Sequence, residues 1–344
     1  MKASILRLRI VGAVLVGLFA CVESAALRAQ SLDALALSTT RDVVSLPSSS
    51  QELEAERFYV LPEGTPASMP PQTYVDLDSY YGPMPGTRAL DSEPWTWQVL
   101  PEGLIYRSYL AGTKEPRLSA HIVNEKNWGW IWDATLGSRV GLLRYGTQDP
   151  VWPMGFEIDA EGAAQVRLDI ANDVDVVGVD FRGGLPLTVG IGPHRTKFGY
   201  YHLSSHTGDE FLLKNPGFDR LNYARDVLVL GQSYYVTPSV RLYAEAGWAF
   251  YSDVSDPWEF QFGADYAPPT PTGFHGAPFF AINGHLREEV DFAGALTVET
   301  GWSWRNELGQ LLRLGAIYYN GKSNQFSYFN NDEEQIGFGV WYDF

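Results

Sequence analysis

Cysteine is nearly absent, since the 344-residue chain has one, Cys21. A single thiol excludes an intramolecular disulfide and any zinc site built from several cysteines. Positive charge is scarce too: 25 Lys and Arg face 41 Asp and Glu, a formal net charge of −16. Nucleic acid is a polyanion that selects for basic surfaces, so no nucleic-acid role is expected. Beyond the first residues, no apolar run reaches the roughly 20 residues that a membrane helix needs. Insertion into a bilayer would then require a closed barrel, in which every backbone polar group is paired.

What is present begins with a leader. Lys2, Arg7 and Arg9 precede the apolar run 10–22 and the small residues Ser24, Ala25, Ala26 and Ala29. This is the layout of a secretory signal peptide over 1–29. The alternative, lipoprotein processing at Leu18-Phe19-Ala20-Cys21, would retain Cys21 as a lipidated terminus, and Phe19 fits that box poorly. Residues 30–95 carry Pro47, Pro62, Pro66, Pro70 and Pro71 around a serine run. Proline removes ladder donors, so this stretch reads as a flexible periplasmic segment. Aromatics (11 Trp, 19 Tyr) and 34 Gly suit strands with interfacial rings and tight turns.

From about residue 130 the hydrophobic period is two. Phe156, Ile158, Ala160, Ala164, Val166 and Leu168 alternate with Glu157, Asp159, Glu161, Gln165, Arg167 and Asp169. That run is longer than the usual strand of roughly 3–10 residues, which favours a membrane wall over a soluble sandwich. The last strand alternates Ile336, Phe338, Val340, Tyr342 and Phe344. The reading is an all-β antiparallel transmembrane barrel of about 12 strands in the bacterial outer membrane, over 96–344 with a short N-terminal cap. Its strands are expected at 130–145, 154–170, 174–183, 185–192, 196–206, 220–236, 239–251, 258–266, 278–287, 291–305, 310–320 and 335–344. The apolar runs at 104–109 and 118–123 are expected to cap the barrel or to pair with its first strand. With Phe344 in the periplasm, 207–219 becomes an extracellular loop, and Asn172-Asp173 and 306–309 become periplasmic turns. Charges such as Glu157, Asp159, Arg167, Arg241, Glu245, Glu299 and Arg313 should fill the lumen as ion pairs. The C-terminal strand is the expected handle for the barrel assembly machinery.

One stretch could carry chemistry: Tyr200-Tyr201-His202-Leu203-Ser204-Ser205-His206, followed by Gly208-Asp209-Glu210. Placing Lys197 in the lumen turns Phe198, Tyr200, His202, Ser204 and His206 towards lipid. His202 and Ser204, two apart on one face, can converge so that the imidazole acts as base for the hydroxyl. His202 and His206 lie roughly 13 Å apart along a strand and are poor joint metal ligands. On the next strand, a hairpin register closing 206 against 220 would set Asn222 opposite Ser204 and Asp226 diagonal to His202. Either could orient the imidazole as the third member of a triad.

His202-Leu203-Ser204 and Asn222 resemble the site of the outer-membrane phospholipase A family, twelve-stranded barrels whose His-x-Ser dyad and asparagine face the membrane. The phospholipase's Asn-Gly after the serine is replaced here by Ser205-His206. Asp209 and Glu210 are the residues that could hold a Ca²⁺ ion by oxygen ligation; their other reading is as solvated loop carboxylates. As a whole, WQVLPEGLIYRSYLAG (97–112) and YYHLSSHTGDEFLL (200–213) resemble the family of unknown function numbered 1207, frequent in planctomycete bacteria. That resemblance implies a barrel and no activity. The expected role is therefore an outer-membrane barrel that could hydrolyse acyl esters of outer-leaflet lipid. The alternative is a non-enzymatic narrow channel or structural surface barrel.

Overall fold

The computed structural model describes residues 94–344. The expected leader and nearly all of segment 30–95 lie outside the described residues. The strands are Thr96–Val99 (β1), Leu118–Glu125 (β2), Gly129–Gly146 (β3), Gly155–Asp169 (β4), Asp175–Ile191 (β5), His194–Thr207 (β6), Tyr223–Thr237 (β7), Val240–Ser252 (β8), Trp258–Tyr266 (β9), Ala277–Arg287 (β10), Gly294–Arg305 (β11), Leu311–Lys322 (β12) and Asp332–Asp343 (β13). A short helix, Asp209–Lys214 (α1), follows β6. From β2 onward each strand pairs antiparallel with the next, and β13 returns to β2 through Tyr342↔Leu118. The result is the expected closed barrel of twelve strands, with β1 as an extra short strand on β3.

The count agrees with the sequence reading although two assignments do not. Residues 174–192, read as two strands, form the single strand β5, in which Gly183, Gly184 and Pro186 are all paired with β6. Residues 118–125, left open between cap and pairing, form the barrel's first strand. Removing one strand and adding another also moves one turn. Asn172-Asp173 lies at the end of the barrel opposite Phe344, beside Gly208, whose N–H donates to Val177 O (2.8 Å). It is not on the C-terminal side.

The pattern of a soluble protein is inverted. Leu136, Phe156, Leu185, Phe198, Leu242, Trp248, Phe262, Ile336 and Phe338 are exposed on the outer wall, while charged side chains are buried inside. Within the wall, Arg139 pairs with Asp159 (2.5 Å), Arg144 with Glu157 (2.5 Å) and Arg182 with Glu161 (3.0 Å). Arg167 bridges Asp133 (2.7 Å) and Glu333 (2.6 Å). Burying unpaired charge is costly, and these networks neutralise both signs. Arg313 holds Glu299 (2.5 Å) and Asp343 (2.7 Å) together and is fully buried. Arg313→Ala is expected to cost about 3–5 kcal/mol, because Glu299 loses its cation and Asp343 keeps only Arg117 (3.3 Å). Urea unfolding in lipid vesicles would measure it.

The rest of the lumen is filled by the chain itself. β1 ends opposite Leu143 and β2 starts opposite Leu136, so the two occupy one slot in the wall. Only residues 137–142 of β3 lie between those pairings, whereas residues 100–117 must be accommodated, about three times as many. The excess dips inside as a plug in which Ile105, Tyr106, Tyr109, Leu110 and Ala111 are buried. Its irregular backbone leaves carbonyls without ladder partners, and such groups need donors when buried. Arginines provide them: Arg241 donates to the carbonyls of Arg107 (2.8 Å) and Ser108 (2.6 Å), Arg144 to those of Glu102 (3.1 Å) and Gly103 (2.9 Å), and Arg313 to that of Leu110 (3.1 Å). Tyr109 stacks on Tyr243 at 3.9 Å. A cavity of about 30 Å³ beside Lys114, Arg117 and His121 is on the scale of a single water site.

Candidate functional site

β6 carries the chemistry-bearing stretch in the expected phase. Lys197, Tyr201, Leu203 and Ser205 are buried inward, whereas Phe198, Tyr200 and His202 are exposed and Ser204 half-buried on the outer wall. The alternation follows from the strand period of two, anchored by the inward pair of Lys197 with Glu245 (2.5 Å). On β7 the same anchoring is done by buried Arg225, which turns Asp226 outward.

The register differs from expectation by two residues. His202 lies directly opposite Asp226, and Ser204 opposite Ala224. Asn222 is therefore not across from Ser204. The connection 208–222 absorbs residues into α1, and β7 starts only at Tyr223, so Asn222 stays in the loop and donates to Asp253 Oδ2 (3.0 Å). Of the two expected orienting residues, the structure brings Asp226 to the imidazole and leaves Asn222 aside.

Asp226 Oδ1 accepts two hydrogen bonds, from His202 Nδ1 (2.9 Å) and from Tyr200 OH (2.7 Å). The pairing fixes the tautomer with Nδ1–H towards the carboxylate and leaves Nε2 as the free basic nitrogen. The His202 side chain is 48% exposed and that of Asp226 22%, so the pair is reachable from outside. Beside His202 on β5 lies Gly183, where an added Cβ would meet only a backbone oxygen at 4.0 Å. Ser204 shares the outer face, about 7 Å further along the strand. Among the described residues no hydrogen bond joins it to His202. Tyr200 was not singled out from the sequence. Its signal was there, since it precedes His202 by two residues and shares its face.

The neighbouring polar groups serve other ends. Ser205 points inward and bonds Asp180 and Ser327 Oγ (2.7 Å), so it is occupied. His206 packs its ring edge against Phe181 at 5.9 Å. Asp209 and Glu210 are exposed in the first turn of α1. Among the described residues no three His, Cys, Asp or Glu side chains gather as a metal site. Lys214 at the end of α1 reaches Asp175, and that hydrogen bond raises its ammonium pKa.

Comparison with known proteins adds the following. A family described as "Protein of unknown function (DUF1207)" matches residues 87–344. No curated protein matches the chain significantly. Among solved structures, the chain is similar to the outer membrane phospholipase dimer with bound calcium from Salmonella typhi, at 12% identity and a TM-score of 0.46, over 66% of this chain and 90% of that one. Outer membrane phospholipase A from Escherichia coli gives 10% identity and a TM-score of 0.45, over 66% and 92%. The KdgM porin gives 11% and 0.37, over 66% and 99%. At such values the likeness is one of barrel architecture.

Proposed function

The chain belongs to the DUF1207 family of proteins of unknown function, and from the geometry of its outer wall we propose that it hydrolyses acyl esters of outer-leaflet lipid. The observation that carries this reading is the His202–Asp226 pair, hydrogen-bonded on the barrel exterior with Ser204 on the same face. Polar groups on a wall that meets lipid are costly unless they have a task. Lipid esters are the substrate present at that surface.

In the reaction, Ser204 Oγ attacks the ester carbonyl while His202 Nε2 takes its proton. Asp226 keeps the imidazole in place and stabilises the cation without itself accepting the proton. The proton then passes to the leaving alcohol as the ester C–O bond breaks. Water, deprotonated by the same nitrogen, releases the fatty acid and restores the serine. Calcium fits poorly here. Asp209 and Glu210 on one exposed turn are short of the six to eight oxygens that Ca²⁺ takes, and every step above is carried by the chain's own side chains. The alternative of a narrow channel is disfavoured by a lumen filled with ion pairs and the plug.

The test is fatty-acid release by the purified full chain in lipid vesicles. Asp226→Asn is expected to lower the rate by about 10²–10⁴-fold, because the wrong tautomer is favoured. Asn222→Ala should leave it unchanged. Loss on Asn222→Ala with indifference to Asp226→Asn would reverse the assignment, and no release by the unmodified protein would end it.

A further inference from the structure

At the end of the barrel that bears α1, a cavity of about 340 Å³ opens between the β2–β3 turn, the β4–β5 turn and the helix. This is the lower end of the size range of small-ligand pockets. Trp128 and Phe211 line it as an apolar ledge, their rings stacked to within 6° of parallel at 6.0 Å. Around the ledge stand three asparagines whose amide nitrogens are already engaged. Asn127 Nδ2 donates to Glu125 (3.4 Å), Asn172 Nδ2 to Asp169 (2.6 Å) and Asn215 Nδ2 to Phe211 O (2.9 Å). Those bonds fix the amides, and among the described residues no donor reaches their Oδ1 atoms. Three acceptors beside an aromatic ledge suit a ligand with hydroxyl donors on its rim and an apolar C–H face, which is the chemistry of a sugar. A phosphate is disfavoured because Lys214 is tied to Asp175 and Asp169 also lines the cavity. A metal is disfavoured by the lack of a three-ligand cluster among the described residues.

The cavity lies at the same end of the barrel as the acyl-ester site. Val177 lines it and accepts from Gly208 N, and Gly208 is four residues beyond Ser204, about 13 Å along the strand. We propose that this cavity holds the neutral sugar headgroup of a glycolipid, so that the ester offered to Ser204 belongs to the acyl part of that glycolipid. The sugar site stands on its own geometry, and its link to the ester rests on the hydrolase reading.

The first arm titrates the detergent-solubilised full chain with maltotriose and N,N′-diacetylchitobiose by calorimetry. Binding is expected, weakened about tenfold by Trp128→Ala and by Asn172→Ala and kept by Trp128→Phe, with heat-modifiable gel mobility showing that each variant is folded. No binding by the unmodified protein, or binding indifferent to both alanine substitutions, overturns the sugar site. The second arm compares hydrolysis of a galactosyl diacylglycerol with that of phosphatidylcholine. A lower KM for the galactolipid, lost in Asn172→Ala at unchanged kcat, supports the glycolipid headgroup. Equal KM for both lipids alongside saccharide binding overturns the headgroup and assigns the cavity to free saccharide. Saccharide binding with hydrolysis of neither lipid keeps the sugar site and removes the hydrolase reading.

Discussion

Ser204→Ala is expected to lower fatty-acid release by at least about 10³-fold, the scale on which removing a nucleophile from a triad acts. The barrel should be unaffected. Ser204 sits on the outer wall opposite Ala224, in a cross-strand position that already accepts a methyl group, and among the described residues it makes no side-chain hydrogen bond. Substitutions at such sites usually stay within about 0.5 kcal/mol. Ser205 cannot stand in, because its hydroxyl is held inside by Asp180 and Ser327. His202→Ala should lose about as much, and the double variant little more, because the two act as a unit. Full release by Ser204→Ala would show that the nucleophile lies elsewhere.

Shortening 100–117 to six residues of strand pattern is expected to turn a non-conducting barrel into a conducting one. Six positions, 137–142 of β3, separate the pairing of β1 from that of β2, so a continuous strand fits that slot without strain. The excised residues are the ones that fill the lumen. Arg241 would keep Asp265, and Arg144 would keep Glu157, as ion pairs on a wetted wall. Planar-bilayer recording should show steady single-channel currents for the shortened chain and none for the full one. Equal silence in both would mean that the wall side chains alone close the lumen.

Much of this was legible in the sequence because a two-sided strand writes its environment into alternate residues. Glu157, Asp159, Arg167, Arg241, Glu245 and Arg313 were assigned to the lumen from phase alone, and all are buried there. The outward phase of His202 and Ser204 came from the same rule, with Lys197 as its anchor. What alternation does not encode is pairing. Register depends on how many residues a loop consumes, and α1 inside 208–222 shifted the partner of His202 from a diagonal to a direct position. The break expected between 174–183 and 185–192 is absent, because Gly183 and Gly184 are paired with both neighbouring strands and Pro186 with Gly199 of β6. The plug was hidden for a different reason. Its apolar run 104–109 is satisfied by arginines far along the chain, a contact that no local pattern announces.

The same plug dictates an order of events. Eighteen residues pinned to Arg144, Arg241 and Arg313 from within cannot be drawn through a finished wall, since β2 and β13 are sealed by eight residue pairs. The segment must already lie across the concave face of an open sheet before that last seam forms. β1, with four pairs to β3, is placed to hold it there as a latch. Closure of this barrel is thus a packaging step, and a chain that zips β13 to β2 too early would leave its stuffing outside.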